Sequence, residues 1–166
     1  MTHITLINLE NASEEDVQNY RIRTAVRAIV LDKDGYIALL HASKNTYYKL
    51  PGGGVEKGED FEEALRRECR EEIGCEIEIT GELGLIVEYR KEGALKQTSY
   101  CYRAKVIGEK GHPDLTQDEI DEGFEIAWLP PEEAIQKLIS SQPQRYGGDY
   151  MVARDLAFLR AYLKNT

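Results

Sequence analysis

Three consecutive glycines stand shortly before a segment with an unusual density of carboxylates, and this pairing constrains the fold more than any other feature of the sequence. The glycines occupy positions 52 to 54, and the acidic segment runs from Glu59 to Ile73. That segment contains no Pro or Gly and is rich in Glu, Ala, Leu and Arg, which are good helix formers. A glycine on each side, Gly58 and Gly74, marks its ends. The sequence therefore predicts a helix over 59–73 that follows a flexible loop.

The direction of the carboxylates on this helix is the informative point. At about 100° per residue, Glu68 and Glu72 project on the same arc as Phe61 and Leu65, and Glu71 lies at the edge of that arc. Carboxylates three and four positions apart repel one another, and burial makes each charge costly. A divalent cation such as Mg²⁺ or Mn²⁺ would remove both penalties, since hard cations prefer oxygen ligands. The alternative is a solvated acidic face, which is typical of Glu-rich helices.

The glycines favour the first alternative. Glycine tolerates a positive φ and lets the backbone approach a ligand closely, so that main-chain groups can face a phosphate or a metal. A glycine run alone would indicate only a loop. Joined to this helix at this spacing, it indicates a site for a metal or a phosphate.

The stretch resembles the Nudix box, which requires fixed residue identities at fixed spacings. The pattern is a glycine, a glutamate six positions later, Arg-Glu eight positions after that, then a Glu-Glu pair and a glycine. All seven fixed identities match. The matching residues are Gly53, Glu59, Arg67, Glu68, Glu71, Glu72 and Gly74. Cysteine occupies both bulky apolar positions, where it packs as a small hydrophobe.

The resemblance implies a Mg²⁺- or Mn²⁺-dependent hydrolase of diphosphate bonds. It implies that Glu68, Glu71 and Glu72 bind the metal together with the Gly52 carbonyl. It also implies that Glu59 pairs with Arg67 and holds the loop to the helix, which requires the loop to fold back.

The general base differs among family members. One option is Glu68, and the other is an acidic residue of a late loop, for which Glu122 is the first candidate and Glu119 the second. A solvated acidic turn is the alternative interpretation of that loop. The predicted catalytic set is therefore Glu68, Glu71, Glu72 and Glu122.

Two further residues are candidate substrate contacts. Tyr48, or its neighbour Tyr47, would stack on a nucleobase, although packing beneath the loop is the commoner role of such residues. Arg27, on the predicted strand Arg23–Leu31, is the other candidate.

The resemblance leaves the substrate open. The first hypothesis is a nucleoside triphosphate, possibly an oxidised one, as in MutT-like enzymes. The second is ADP-ribose, a nucleotide sugar or a dinucleoside polyphosphate. The third is a binding module without catalysis, but such modules usually lose glutamates of the box, and all of them are present here.

The order of elements predicts a compact α+β or α/β sandwich. The resemblance makes it the α+β Nudix fold, an α/β/α sandwich with a mixed β-sheet between helices. Residues 1–166 are expected to form a single Nudix domain. Residues 1–21 are an N-terminal extension without an assigned role, and residues 142–166 carry a C-terminal helix. We expect Asp149 to cap that helix, whose predicted apolar stripe comprises Val152, Leu156, Leu159 and Leu163.

Composition limits the partners. The net charge of −9 argues against coating a nucleic-acid polymer, which needs a basic surface, but a small nucleotide remains compatible because a metal neutralises its phosphates. No apolar run approaches the roughly 18 residues of a membrane span. Three cysteines without a framework spacing and the lack of a signal peptide favour a cytoplasmic protein. A monomer and a homodimer are both compatible with the sequence.

Overall fold

A computed structural model describes residues 1–165, so Thr166, the last residue of the predicted domain, lies outside the described residues. The strands are β1 (His3–Ile7), β2 (Arg21–Leu31), β3 (Ile37–Ala42), β4 (Tyr47–Lys49), β5 (Glu76–Arg90), β6 (Leu95–Ile107) and β7 (Phe124–Leu129). The helices are α1 (Glu14–Gln18), α2 (Phe61–Ile73), α3 (Gln117–Asp121), α4 (Pro131–Ile139) and α5 (Gly148–Lys164), with a short 3-10 turn at Ser43–Asn45.

The strands form one mixed sheet in the order β1-β5-β6-β2-β3-β4, with β7 also paired to β3. β1 runs parallel to β5 and β2 runs parallel to β6, whereas the other pairs are antiparallel. The N-terminal extension therefore adds a strand to the sheet.

Helices cover both faces of the sheet. The face with Val26, Ala28 and Val30 packs against α2, and the face with Ile29 packs against α4 and α5. This alternation follows from the two-residue period of strand β2. The predicted α/β/α sandwich is confirmed, and no helix within residues 1–165 is long and apolar enough to cross a bilayer.

Two predicted helix starts differ from the structure. The acidic helix begins at Phe61 because Asp60 caps it: its side chain accepts from the Glu63 N–H, and the Glu63 carboxylate accepts from the Asp60 N–H. The predicted cap at Asp149 is wrong. Gly147, at φ 81°, occupies the N-cap of α5 without a side-chain hydrogen bond.

Candidate active site

The glycine loop is held against β2 by main-chain hydrogen bonds. The Val26 N–H donates to the Gly53 carbonyl at 2.9 Å, and the Ala28 N–H donates to the Pro51 carbonyl at 3.0 Å. Gly52 has φ 128°, and a Cβ added there would stand 2.2 Å from the Val26 carbonyl oxygen. Only glycine fits this close approach of loop and strand.

Glu72 joins α2 to this loop. Its side chain is 2% exposed, which confirms the prediction that it faces inward. Its Oε2 accepts from the Gly52 N–H at 2.6 Å, and its Oε1 accepts from the Lys49 ammonium at 2.6 Å. Burial raises the pKa of the Glu72 carboxyl, while the ammonium of Lys49 acts in the opposite direction.

Arg67 is the second link between helix and loop. Its guanidinium donates to both carboxylate oxygens of Glu59, at 2.7 and 3.0 Å, and to the Gly54 carbonyl at 3.1 Å. It also donates to Glu68 at 2.8 Å and to Glu71 at 3.1 Å. The hydrogen bonds to Glu59 are the main cause that raises the pKa of Arg67. The loop folds back as the pairing of Glu59 with Arg67 requires.

These groups form one wall of an open cavity of about 460 Å³. Among the predicted residues, those that line it are Arg27, Gly52, Gly53, Arg67, Glu68, Glu71, Glu72 and Glu119. The opposite part of the lining is basic and was not predicted from the sequence, apart from Arg27. Its cations are Arg23, Arg90, Arg145 and Arg154, and Lys49 also lines the cavity.

Four predicted residues lie outside this lining: Glu59, Glu122, Tyr48 and its alternative Tyr47. Glu59 is connected to the cavity through its hydrogen bond with Arg67, which lines it. Glu122 forms an ion pair with Arg145 and accepts from the Tyr47 hydroxyl at 3.4 Å, so it meets the cavity only through Arg145. The ring of Tyr48 stacks on His41 with centroids 4.3 Å apart, and it is therefore committed to packing rather than free for a nucleobase.

The cavity offers the oxygen ligands that a hard divalent cation prefers. Glu68, Glu71 and Glu72 share the cavity with Gly52. The carbonyls of Pro51, Gly53 and Gly54 each accept a hydrogen bond, whereas within residues 1–165 none is donated to the Gly52 carbonyl. The carboxylates are held by Arg67 and Lys49, and the described residues contain no group of three or more acidic, His or Cys side chains already gathered in a metal-binding arrangement. The oxygen types fit Mg²⁺ or Mn²⁺, and binding would require these carboxylates to exchange cationic partners.

Apart from Arg27, the basic residues of the lining were not predicted, because their signals are weak in the sequence. Arg23 and Arg27 are four positions apart and therefore lie on one face of β2. The same spacing is equally typical of a strand that carries exposed charges, so it does not indicate a binding site. Arg154 lies in a helix whose sequence pattern indicates an apolar stripe and does not mark the arginine as buried. The buried side of α5 comprises Tyr150, Arg154, Asp155, Phe158 and Leu159, so Leu159 alone of the predicted stripe is fully buried.

The glycines allow a matched test of this geometry. A Cβ at Gly53 would stand 2.2 Å from Glu68 Oε1, the end of a side chain that can move. We expect Gly53→Ala to fold and to lose about tenfold or more in turnover, because Glu68 is displaced. Gly52→Ala would meet backbone at a positive φ and should instead lower the melting temperature strongly. Circular dichroism melts and steady-state kinetics would separate the two effects, and wild-type turnover by a folded Gly53→Ala variant would contradict this role of Glu68.

The family is settled by comparison with known proteins. The NUDIX domain model matches residues 21–147. The chain belongs to the Nudix family. This match includes the glycine loop, α2 and β7 and thus every residue of the box, and it confirms the resemblance inferred from the sequence. Members of this family generally use a divalent metal such as Mg²⁺.

Curated Nudix relatives are similar over part of the chain. A nucleoside triphosphatase NudI of Enterobacter sp. (strain 638) is 45% identical over 36% of this chain and 45% of its own length. An uncharacterized Nudix hydrolase of Nostoc sp. is 33% identical over 57% of this chain and 52% of its own length. The chain thus spans about half the length of the curated relatives that it matches.

Solved Nudix structures share the fold. A NUDIX hydrolase from Nitrosomonas europaea superposes with a TM-score of 0.63 at 18% identity, covering 87% of this chain and 90% of that one. A MutT protein from Methanosarcina mazei Go1 gives 0.59 at 19% identity, with 89% and 97% covered. A Streptococcus suis ADP-ribose pyrophosphatase gives 0.55 at 15% identity, with 84% and 91% covered.

Proposed function

We propose that this protein is a Mg²⁺- or Mn²⁺-dependent pyrophosphohydrolase that cleaves the diphosphate linkage of a nucleoside diphosphate derivative, with a nucleoside triphosphate, normal or oxidised, as its substrate. The observation that carries this proposal is the division of one cavity into a carboxylate wall on α2 and an arginine wall on β2, β5 and α5. The similarity to nucleoside triphosphatases NudI supports the substrate class.

The chemistry requires a water oxygen to form a new bond to one phosphorus while the bridging P–O bond breaks, so that the bridging oxygen leaves with the other phosphate. A bound Mg²⁺ would supply neutralisation of phosphate charge and a lowered pKa of bound water. We propose that Glu68, Glu71, Glu72 and the Gly52 carbonyl would hold it. Arg67 keeps Glu68 and Glu71 on the same side of the cavity, and Glu72 fixes the loop through the Gly52 N–H.

The proton of the attacking water needs an acceptor within hydrogen-bond reach. We propose Glu68 as this base because its carboxylate lines the cavity. Among the late acidic residues, Glu119 also lines the cavity, although its carboxylate accepts from the Thr116 N–H at 2.8 Å as a helix cap. Glu122 is bound to Arg145, and it is therefore better suited to orient that arginine than to accept a proton.

A substrate panel with separate readouts of phosphate and pyrophosphate tests this function. Wild-type protein should release pyrophosphate and a nucleoside monophosphate from a triphosphate in the presence of Mg²⁺, and EDTA should abolish the release. Release of nucleoside monophosphate and ribose 5-phosphate from ADP-ribose, without turnover of the triphosphate, would show that the substrate is a nucleoside diphosphate joined to a sugar and not a nucleoside triphosphate. A failure to hydrolyse any member of the panel, with or without Mn²⁺, would favour a binding module.

A further inference from the structure

The arginine wall of the cavity carries more positive charge than its own structure neutralises. Five guanidinium groups line it. Arg145 is paired with Glu122, and the other four come from three separate elements of the fold. These residues, called here the arginine cradle, are Arg23 and Arg27 on β2, Arg90 at the end of β5, and Arg154 on α5.

Two buried carboxylates already form ion pairs with arginines of the cradle. Glu88 accepts from Arg90 at 2.7 Å and from Arg154 at 3.4 Å, and Gln97 donates to it at 2.8 Å. Asp155 accepts from Arg154 at 2.7 and 3.1 Å and from the Leu50 N–H at 2.9 Å. Neither carboxylate lines the cavity, whereas the four guanidinium-bearing residues do.

Two members of the cradle have no carboxylate partner among the described residues: Arg23, which donates to the neutral side chain of Gln97, and Arg27. Arg27 is 4% exposed, and within residues 1–165 its Nη1 donates to the main-chain carbonyls of Val26 and Gly53. Its buried Nε has no hydrogen-bond acceptor among the described residues, and the same holds for the Nε of Arg90. Burial, with repulsion from Arg154, lowers the pKa of Arg27 to about 10. A buried guanidinium in this condition is costly unless a ligand supplies the missing acceptors.

We propose that the arginine cradle is the subsite for the terminal phosphates of the substrate, and that it makes the enzyme selective for substrates that end in a free phosphate. The inference rests on the proposed function and adds to it the residues that choose the substrate class. Guanidinium forks match phosphate oxygens in geometry and charge.

The selectivity follows from the charge balance. A nucleoside triphosphate carries two phosphates beyond the α-phosphate, and the last has no ester and bears the highest charge. In ADP-ribose or a nucleotide sugar, both phosphates of the diphosphate are esterified. The excess positive charge of the cradle therefore favours the triphosphate, while the carboxylate wall contacts the bond to be cleaved in either case.

The first test measures binding without turnover. Calorimetric titration of the metal-free protein with inorganic tripolyphosphate should give a single site, and Arg27→Gln should weaken it by roughly 10- to 100-fold, as expected when charge-assisted hydrogen bonds are lost. Arg23→Gln, at a partly exposed position, should act in the same direction. Arg70→Gln is the matched control, because Arg70 is exposed on α2 and, among the described residues, its ion pair is with Glu76. Equal affinities of wild type and both cradle variants would overturn the proposal.

The second test measures selectivity. Arg27→Gln should lower kcat/KM for a nucleoside triphosphate by roughly 10- to 100-fold and that for ADP-ribose by much less. Its melting temperature should not fall, because an unpaired buried charge has been removed. Equal losses on both substrates in a folded variant would overturn the cradle while leaving the hydrolase intact. Absence of any turnover by wild type, with tripolyphosphate still bound at the cradle, would instead contradict the proposed function alone.

Discussion

Replacing Glu72 by glutamine should lower kcat/KM for metal-dependent hydrolysis by about 100-fold or more while leaving the protein folded. Glutamine keeps the shape of the side chain but removes the negative charge that is proposed to bind the cation. Metal ions contribute several kcal/mol to the stabilisation of phosphoryl transition states, and each 1.36 kcal/mol is about tenfold in rate. The loss should appear in Mn²⁺ affinity, measured by calorimetry, as well as in turnover.

The control for this variant is Glu62→Gln, on the exposed side of the same helix, where the ion pair with Arg66 is long at 3.5 Å. It should retain wild-type kinetics, since exposed pairs contribute little. Glu72→Gln will lose part of its stability, because the amide oxygen can replace only part of the acceptor capacity that serves Lys49 and the Gly52 N–H. A folded Glu72→Gln protein with wild-type hydrolysis would contradict the metal-site assignment.

The carboxylate wall could be predicted from the sequence because all of its residues lie in one short helical segment. Glu68 and Glu72 lie one helical turn apart, so the pitch of a single helix is enough to place them on the same arc as the apolar residues. The ends of the helix were less exact, because a cap depends on one side chain: Asp60 starts α2, and a left-handed glycine starts α5 in place of the predicted Asp149.

Apart from Arg27, the arginine wall could not be predicted from the sequence, because it is assembled from distant parts of the chain. Arg27 and Arg154 come to line one cavity only when α5 packs on the face of β2 that carries Ile29. From helical periodicity, a charged residue in an amphipathic helix is expected to be exposed. Arg154 and Asp155 are instead both fully buried. Their burial depends on mutual pairing and on Glu88, which no local pattern reveals.

The C-terminal helix contributes Met151 and Arg154 to the lining of the cavity, and its Asp155 is expected to have the largest effect on stability. Asp155→Asn should lower the free energy of unfolding by about 3 kcal/mol, because removing one partner of a buried ion pair leaves the other charge uncompensated. For a domain of this size, that corresponds to a fall of roughly 6–12 °C in melting temperature. Turnover should fall as well, because the Asp155 carboxylate accepts a hydrogen bond from the N–H of Leu50, which lies two residues before the glycine loop.

Two further variants identify charge as the cause. Asp149→Asn, at an exposed position in the first turn of the same helix, should change the melting temperature by no more than about 1 °C. In the double variant Arg27→Gln/Asp155→Asn, one guanidinium and one carboxylate charge are removed together, and part of the lost stability should return. Strictly additive effects of the two substitutions would show that they act independently. Recovery beyond the sum of the two single effects would show that Asp155 and the cradle share one charge balance, in which a bound phosphate is proposed to supply the anions that the protein itself omits.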